Sequence, residues 1–178
     1  MLSLETLAHW EAAVLASIRG ARGSIEERDA QITRSGMYAE YPAIFNAYLE
    51  PAFDEGKPGA GLEVAKRRLF LVWASFTQLP VDSGIAELPE SSVRTVIEQI
   101  ESDIHAERVD DELRLMLAWY RGTFPFMFDY VGGVRGLDEY LGDLSADDAL
   151  LEMRRLRAPA DFAGRGQLGE YWGRLISR

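Results

Sequence analysis

The chain holds 178 residues, 47% of them hydrophobic and 27% charged, with 29 acids against 19 bases and no cysteine. This composition excludes disordered, collagen-like and low-complexity classes, and the missing cysteine excludes thiol catalysis, Cys-ligated zinc and disulfides. A formal charge of −10 argues against a nucleic-acid backbone or an anionic membrane as the main partner.

The length fits one domain over residues 1–178, long enough to bury roughly 70% of its unfolded surface without a metal or disulfide. The N-terminus carries Glu5, His9 and Glu11 before its first base, Arg19, the reverse of a secretory signal. The longest uncharged run, residues 69–81, falls short of the ~20 apolar residues that cross a bilayer. A cytoplasmic protein is the expectation.

Apolar residues recur at helical spacing almost throughout. Ser3 is placed to cap a first helix whose Leu4, Leu7, Ala8, Val14, Leu15 and Ile18 share a face. Ser24 with Glu27 forms a capping-box pattern for a shorter, charged helix ending near Gly36. Pro42 suits the first turn of an aromatic helix that points Ile44, Phe45, Tyr48 and Leu49 inward and ends or kinks at Pro51. Residues 56–61, GKPGAG, read as a loop.

The next helix carries Leu62, Ala65, Leu69, Val72, Trp73 and Phe76 in one stripe, with Val64 and Leu71 widening it. A helix apolar on most sides belongs at the centre of a bundle. After a turn-like stretch around Asp82-Ser83-Gly84, Pro89 opens a helix with Val93, Val96, Ile97, Ile100 and Ile104 on a narrow stripe. Asp110 caps the following one, which bears Leu113, Met116, Leu117 and Tyr120. A short aromatic segment at 124–131, a short helix with Leu137, Tyr140 and Leu141, and a helix capped by Ser145 with Leu150, Met153 and Leu156 complete the series. Beyond Pro159, Leu168, Tyr171, Trp172 and Leu175 are spaced to pack back on the body. No segment shows the strict alternation of a half-buried strand. The expected fold is all-α, a single-domain bundle of about eight helices, with stacked helical hairpins as the variant architecture.

Motifs for chemistry are weak. Gly164-Arg165-Gly166-Gln167-Leu168-Gly169 has the G-x-G-x-x-G form but lacks a preceding strand and the acid about 20 residues on. It reads as a glycine-rich linker running into a helix, and GKPGAG lacks the phosphate-loop spacing. Glu98, Glu101 and His105 share a helix face, but a carboxylate-bridged metal pair needs Glu-x-x-His on two helices. A solvated face is the simpler account. The adjacent acids Glu26/Glu27, Asp54/Glu55, Asp110/Asp111 and Asp147/Asp148 suit helix starts and dipole complementation better than acid–base catalysis. No residue is assigned as catalytic, cofactor-binding or metal-ligating, and no cofactor is expected. The rings at Trp119-Tyr120 and Phe124, Phe126, Phe128 and Tyr130 are of a kind that usually packs into a core, a spaced exposed face being the exception.

Charge is unevenly placed. Residues 98–112 hold seven acids against Arg108 alone, residues 138–148 five acids and no base, and residues 149–178 six arginines against three acids. The turn between the two helices around 103–112 therefore stands out as an acidic surface able to steer a basic partner. Asp103, Glu107, Asp110 and Asp111 are the candidate partner-binding residues.

The run Leu69-Phe70-Leu71-Val72-Trp73 followed by Gly84-Ile85 and Leu88, with Trp119-Tyr120 and Phe128-Asp129-Tyr130 later, resembles uncharacterised bacterial all-helical proteins. The resemblance covers residues 41–144, and its motifs are apolar helix patterns. It implies an all-helical protein of the sort that accompanies toxins as an immunity protein, and transfers no site residue. The expectation is a helical protein-binding module, in its sharpest form an immunity-type inhibitor presenting an acidic patch to a basic partner. The alternatives are a metal-dependent or hydrolytic helical enzyme using Glu98, Glu101 and His105, and a helical adaptor or scaffold.

Overall fold

A computed structural model describes residues 2–50, 59–130 and 132–178. Pro51, the Asp54/Glu55 pair and the first part of GKPGAG lie outside them. Among the described residues there are eleven α-helices and no strand, eight of the helices running ten residues or more. These are α1 (Leu4–Gly20), α2 (Ile25–Ser35), α3 (Glu40–Leu49), α4 (Ala60–Thr77), α5 (Pro80–Ser83), α6 (Glu90–His105), α7 (Asp111–Thr123), α8 (Phe126–Asp129), α9 (Leu137–Leu141), α10 (Ala146–Leu156) and α11 (Gly166–Ile176). The fold is all-α.

The starts follow the side chains that can satisfy open backbone N–H groups. Ser3, Ser24, Asp110 and Ser145 each accept a hydrogen bond from the backbone three residues on, and the Ser24–Glu27 box is complete. Gly36 closes α2 in the left-handed conformation. The last part of GKPGAG departs from the loop expected there: Gly59 caps α4, and Ala60 and Gly61 form its first turn.

One continuous apolar core draws on every helix. At its centre lies α4, about 27 Å long at 1.5 Å per residue, with Val64, Ala65 and the run from Leu69 to Ala74 all buried. Helix α7 runs beside α4 in the same direction. Its N-cap Asp110 meets Lys66 at one end, Tyr120 stacks on Trp73 in the middle with centroids 5.0 Å apart, and Phe124 stacks on Phe76 at the other end. Helix α10 runs antiparallel to α7, since Ala146 packs on Gly122 while Arg157, just past α10, reaches Glu112. Leu156, expected on the inner stripe of α10, is exposed instead: it is the last residue of the helix and borders a surface cleft with Leu115 and Glu152.

That segment crosses the start of α4 through a 3-10 turn at Pro159–Phe162, then packs α11 between α1 and α4. Two glycines of the G-x-G-x-x-G run, Gly166 and Gly169, are explained by this crossing. A Cβ on Gly169 would stand 2.1 Å from the Phe162 carbonyl oxygen, and one on Gly166, whose φ is +63°, would stand 2.5 Å from the Glu11 carboxylate. The approach of a backbone carbonyl sets Gly169, and the left-handed φ with the Glu11 carboxylate beside it sets Gly166.

Candidate functional site

Two features stand out, one at each end of α4. At its start, charge is buried. Lys66 and Arg67 occur on a helix otherwise apolar on most sides, so their side chains enter the interior and carry positive charge with them. Lys66 Nζ lies 2.7 Å from Asp110 and 3.4 Å from Glu112. Arg67 donates to Glu63 at 2.7 Å, to the Leu4 carbonyl at 3.0 Å and to the Tyr48 hydroxyl at 3.3 Å. Arg165 bridges Glu63 and Glu112 at 2.5 and 2.6 Å, and Arg157 meets Glu112 at 2.7 Å. Further in, Glu11 accepts from the Tyr48 hydroxyl at 2.5 Å and from the Gln167 backbone N–H at 2.8 Å. The Gln167 amide in turn donates to the Tyr41 hydroxyl and the Ser83 carbonyl.

Four cations (Lys66, Arg67, Arg157, Arg165) thus face the carboxylates of Glu63, Asp110, Glu112 and Asp161 around a cleft of about 390 Å³, with Glu11 further in. Glu112 is 2% exposed. Burial pushes its carboxyl up, but Arg165, Lys66 and Arg157 outweigh this and hold it below the ordinary value. Glu11 goes the other way: its own burial dominates, and the Tyr48 and Gln167 hydrogen bonds offset it in part. Glu63 and Glu112 raise the Arg165 guanidinium against the effect of its burial. A network balanced in this way anchors the C-terminal segment to α1, α4 and α7. Among the described residues each of its four cations is paired with a carboxylate.

The other end of α4 is aromatic. Phe76 and Phe124 are half-buried and stacked at 6.0 Å. Tyr130 meets Phe76 edge-on at 5.2 Å, and Phe126 meets Phe124 edge-on at 6.0 Å. Phe126 is 71% exposed and Tyr130 58%, whereas Phe128 between them is buried. The expected core role therefore holds for Phe128 and not for its two neighbours. In the single turn of α8, positions 126 and 130 share a face, and that face is turned to solvent.

The acidic turn is largely committed to the fold. Asp103 is buried and accepts from Arg108 Nε at 2.9 Å and Gln99 Nε2 at 3.0 Å, so it clamps its own turn. Asp110 caps α7 and pairs with Lys66. Glu107, in the left-handed region at φ 52°, and Asp111 are exposed and form no ion pair among the described residues. The structure therefore does not bring the four candidates together as one free surface. In the Glu98–Glu101–His105 set, Glu101 is bound by the Arg135 side chain and backbone N–H, and His105 Nδ1 contacts the Glu101 carbonyl. Among the described residues no group of three or more His, Asp or Glu is arranged to hold a metal ion.

The buried network escaped the sequence reading, yet two signals pointed to it. Glu11 interrupts the apolar stripe of α1 four residues after Leu7, and Lys66 and Arg67 interrupt that of α4. A charge inside a stripe must find a partner inside the fold.

What fold and site together define is an all-α protein in which no described helix is long and apolar enough to cross a membrane. No protein-family model matches the chain, and no curated protein or solved structure does either.

Proposed function

We propose that the chain is a helical protein-binding module for a basic partner. The observation that carries this reading is where the uncompensated charge resides. Residues 98–148 contain thirteen acids and four arginines, which accounts for nine of the ten net negative charges. Eight of those acids, among them Glu98, Glu107, Asp111 and Asp129, form no ion pair among the described residues. The basic C-terminal segment, by contrast, spends Arg157 and Arg165 on Glu112 and Glu63. A local excess of negative charge of this kind raises the encounter rate with an oppositely charged protein by 10–10³-fold. An immunity-type inhibitor that covers the basic site of a toxin is the narrowest form of this reading.

The test is affinity capture from cells that carry the protein, with elution by salt. A basic protein should be retained and released as salt rises. The double reversal Glu107→Lys with Asp111→Lys should slow its capture and weaken the salt dependence, while thermal stability falls by no more than the ~0.3–1 kcal/mol of a cation at the start of α7. Retention of no protein, or capture indifferent to the reversal, would contradict the proposal.

A further inference from the structure

The geometry points to an anchor site for the same partner: the row Phe126–Phe124–Phe76–Tyr130 is the apolar anchor site for a partner segment that carries a large apolar side chain next to a lysine or arginine. This inference rests on the basic-partner reading and adds where, and through which chemistry, that partner is held.

The four rings form a continuous row in which the two exposed rings stand at the ends and the two half-buried ones between them. Burying large aromatic rings is the main source of affinity at the centre of protein interfaces, where aromatic residues are enriched. Here the rings need no exposure for folding, because Met127 and Phe128 already supply the contact of α8 with the core. Gly132 and Gly133 follow at φ 103° and 83°, in the left-handed region that favours glycine.

Charge fixes the chemistry of the occupant. Asp129 lies between Phe126 and Tyr130 in the chain, is exposed, and borders a cleft of about 140 Å³ with Asp138 on α9. The two arginines of that cleft are engaged, Arg121 with Asp138 at 3.1 Å and Arg135 with Glu101 at 2.7 Å. Asp129 has no ion pair among the described residues and is left to meet a cation. A second copy of this chain would bring a like-charged surface to the same place, which disfavours self-association.

The experiment selects short random displayed peptides on the immobilised full chain and measures the affinity of the winners at low and high salt. Peptides combining an aromatic or large aliphatic residue with lysine or arginine are expected. The double variant Phe126→Ser with Tyr130→Ser should weaken them by about tenfold or more, and Asp129→Lys should slow their association and flatten the salt dependence. Thermal unfolding of each variant should match the parent, which separates lost contact from lost fold. Basic peptides whose binding ignores the double variant would overturn this inference and leave the basic-partner reading standing. Apolar peptides without basic residues, bound independently of salt, would overturn both. Absence of any enrichment, or a dimer of the parent chain that the double variant dissolves, would overturn the anchor site as assigned.

Discussion

The two ends of α4 place difficult side chains in opposite ways. At the start, Lys66 and Arg67 take charge into the interior, and carboxylates from α1, α4 and the start of α7, with two arginines of the C-terminal segment, close around them until the charges balance. At the finish, Phe76 reaches the surface in contact with rings from α8 and its approach, and nothing within the described chain covers Phe126 or Tyr130. A buried charge left without a partner costs several kcal/mol, so completeness at the first end marks a structural joint. An exposed aromatic row costs the fold little, and it becomes favourable only when another molecule covers it. Completeness argues for architecture, and incompleteness for binding.

The largest expected effect breaks the polar end. Glu112→Ala leaves Lys66, Arg157 and Arg165 without their shared carboxylate and should destabilise the protein by about 3–5 kcal/mol in chemical denaturation. Loss of less than 1 kcal/mol would mean that the network is not a joint. Next is Gly169→Ala, where a methyl group would meet the Phe162 carbonyl at 2.1 Å. The 3-10 turn must move, at a cost of about 1–3 kcal/mol, and proteolysis should then cut near residue 160 first.

Acid titration sharpens the comparison within the network. The Glu112 pKa is lowered on folding, so its contribution is present above the ordinary value of 4.5 and disappears as pH falls through the depressed value. The Glu11 pKa is raised, so its contribution is complete below 4.5 and disappears as pH rises through the raised value. At neutral pH Glu112→Gln should therefore cost more stability than Glu11→Gln, and it should also flatten the acid limb of the stability profile. Equal costs with unchanged limbs would show that the two carboxylates are not opposed. The smallest effect belongs to the aromatic end, where Phe126→Ser and Tyr130→Ser should each change stability by no more than about 0.5 kcal/mol.

Much of the fold was legible because its rules are local. The caps at Ser3, Ser24, Asp110 and Ser145 and the stripes of α4 and α6 depend on residues three or four apart. Relations across the chain were not legible in this way. Asp103 and Asp110 belong to an acidic stretch in sequence, but one is clamped by Arg108 and the other by Lys66, 44 residues earlier. Local composition counts charges without saying which are spent. Likewise Phe126, Phe128 and Tyr130 look equivalent in the chain, and only the packing of a single helical turn separates the buried ring from the exposed ones. Glu11 and Gln167 meet across 156 positions, a contact that periodicity does not encode.

The most direct test sets the two ends against each other in one assay. Binding of a peptide selected on the parent chain, and thermal stability, would be measured side by side for Phe126→Ser/Tyr130→Ser and for Glu112→Gln, at a temperature where both variants are folded. The account predicts a crossed result: the aromatic variant loses binding and keeps its stability, while the Glu112 variant loses stability and keeps its binding. Binding lost in the folded Glu112 variant and retained in the aromatic one would contradict it.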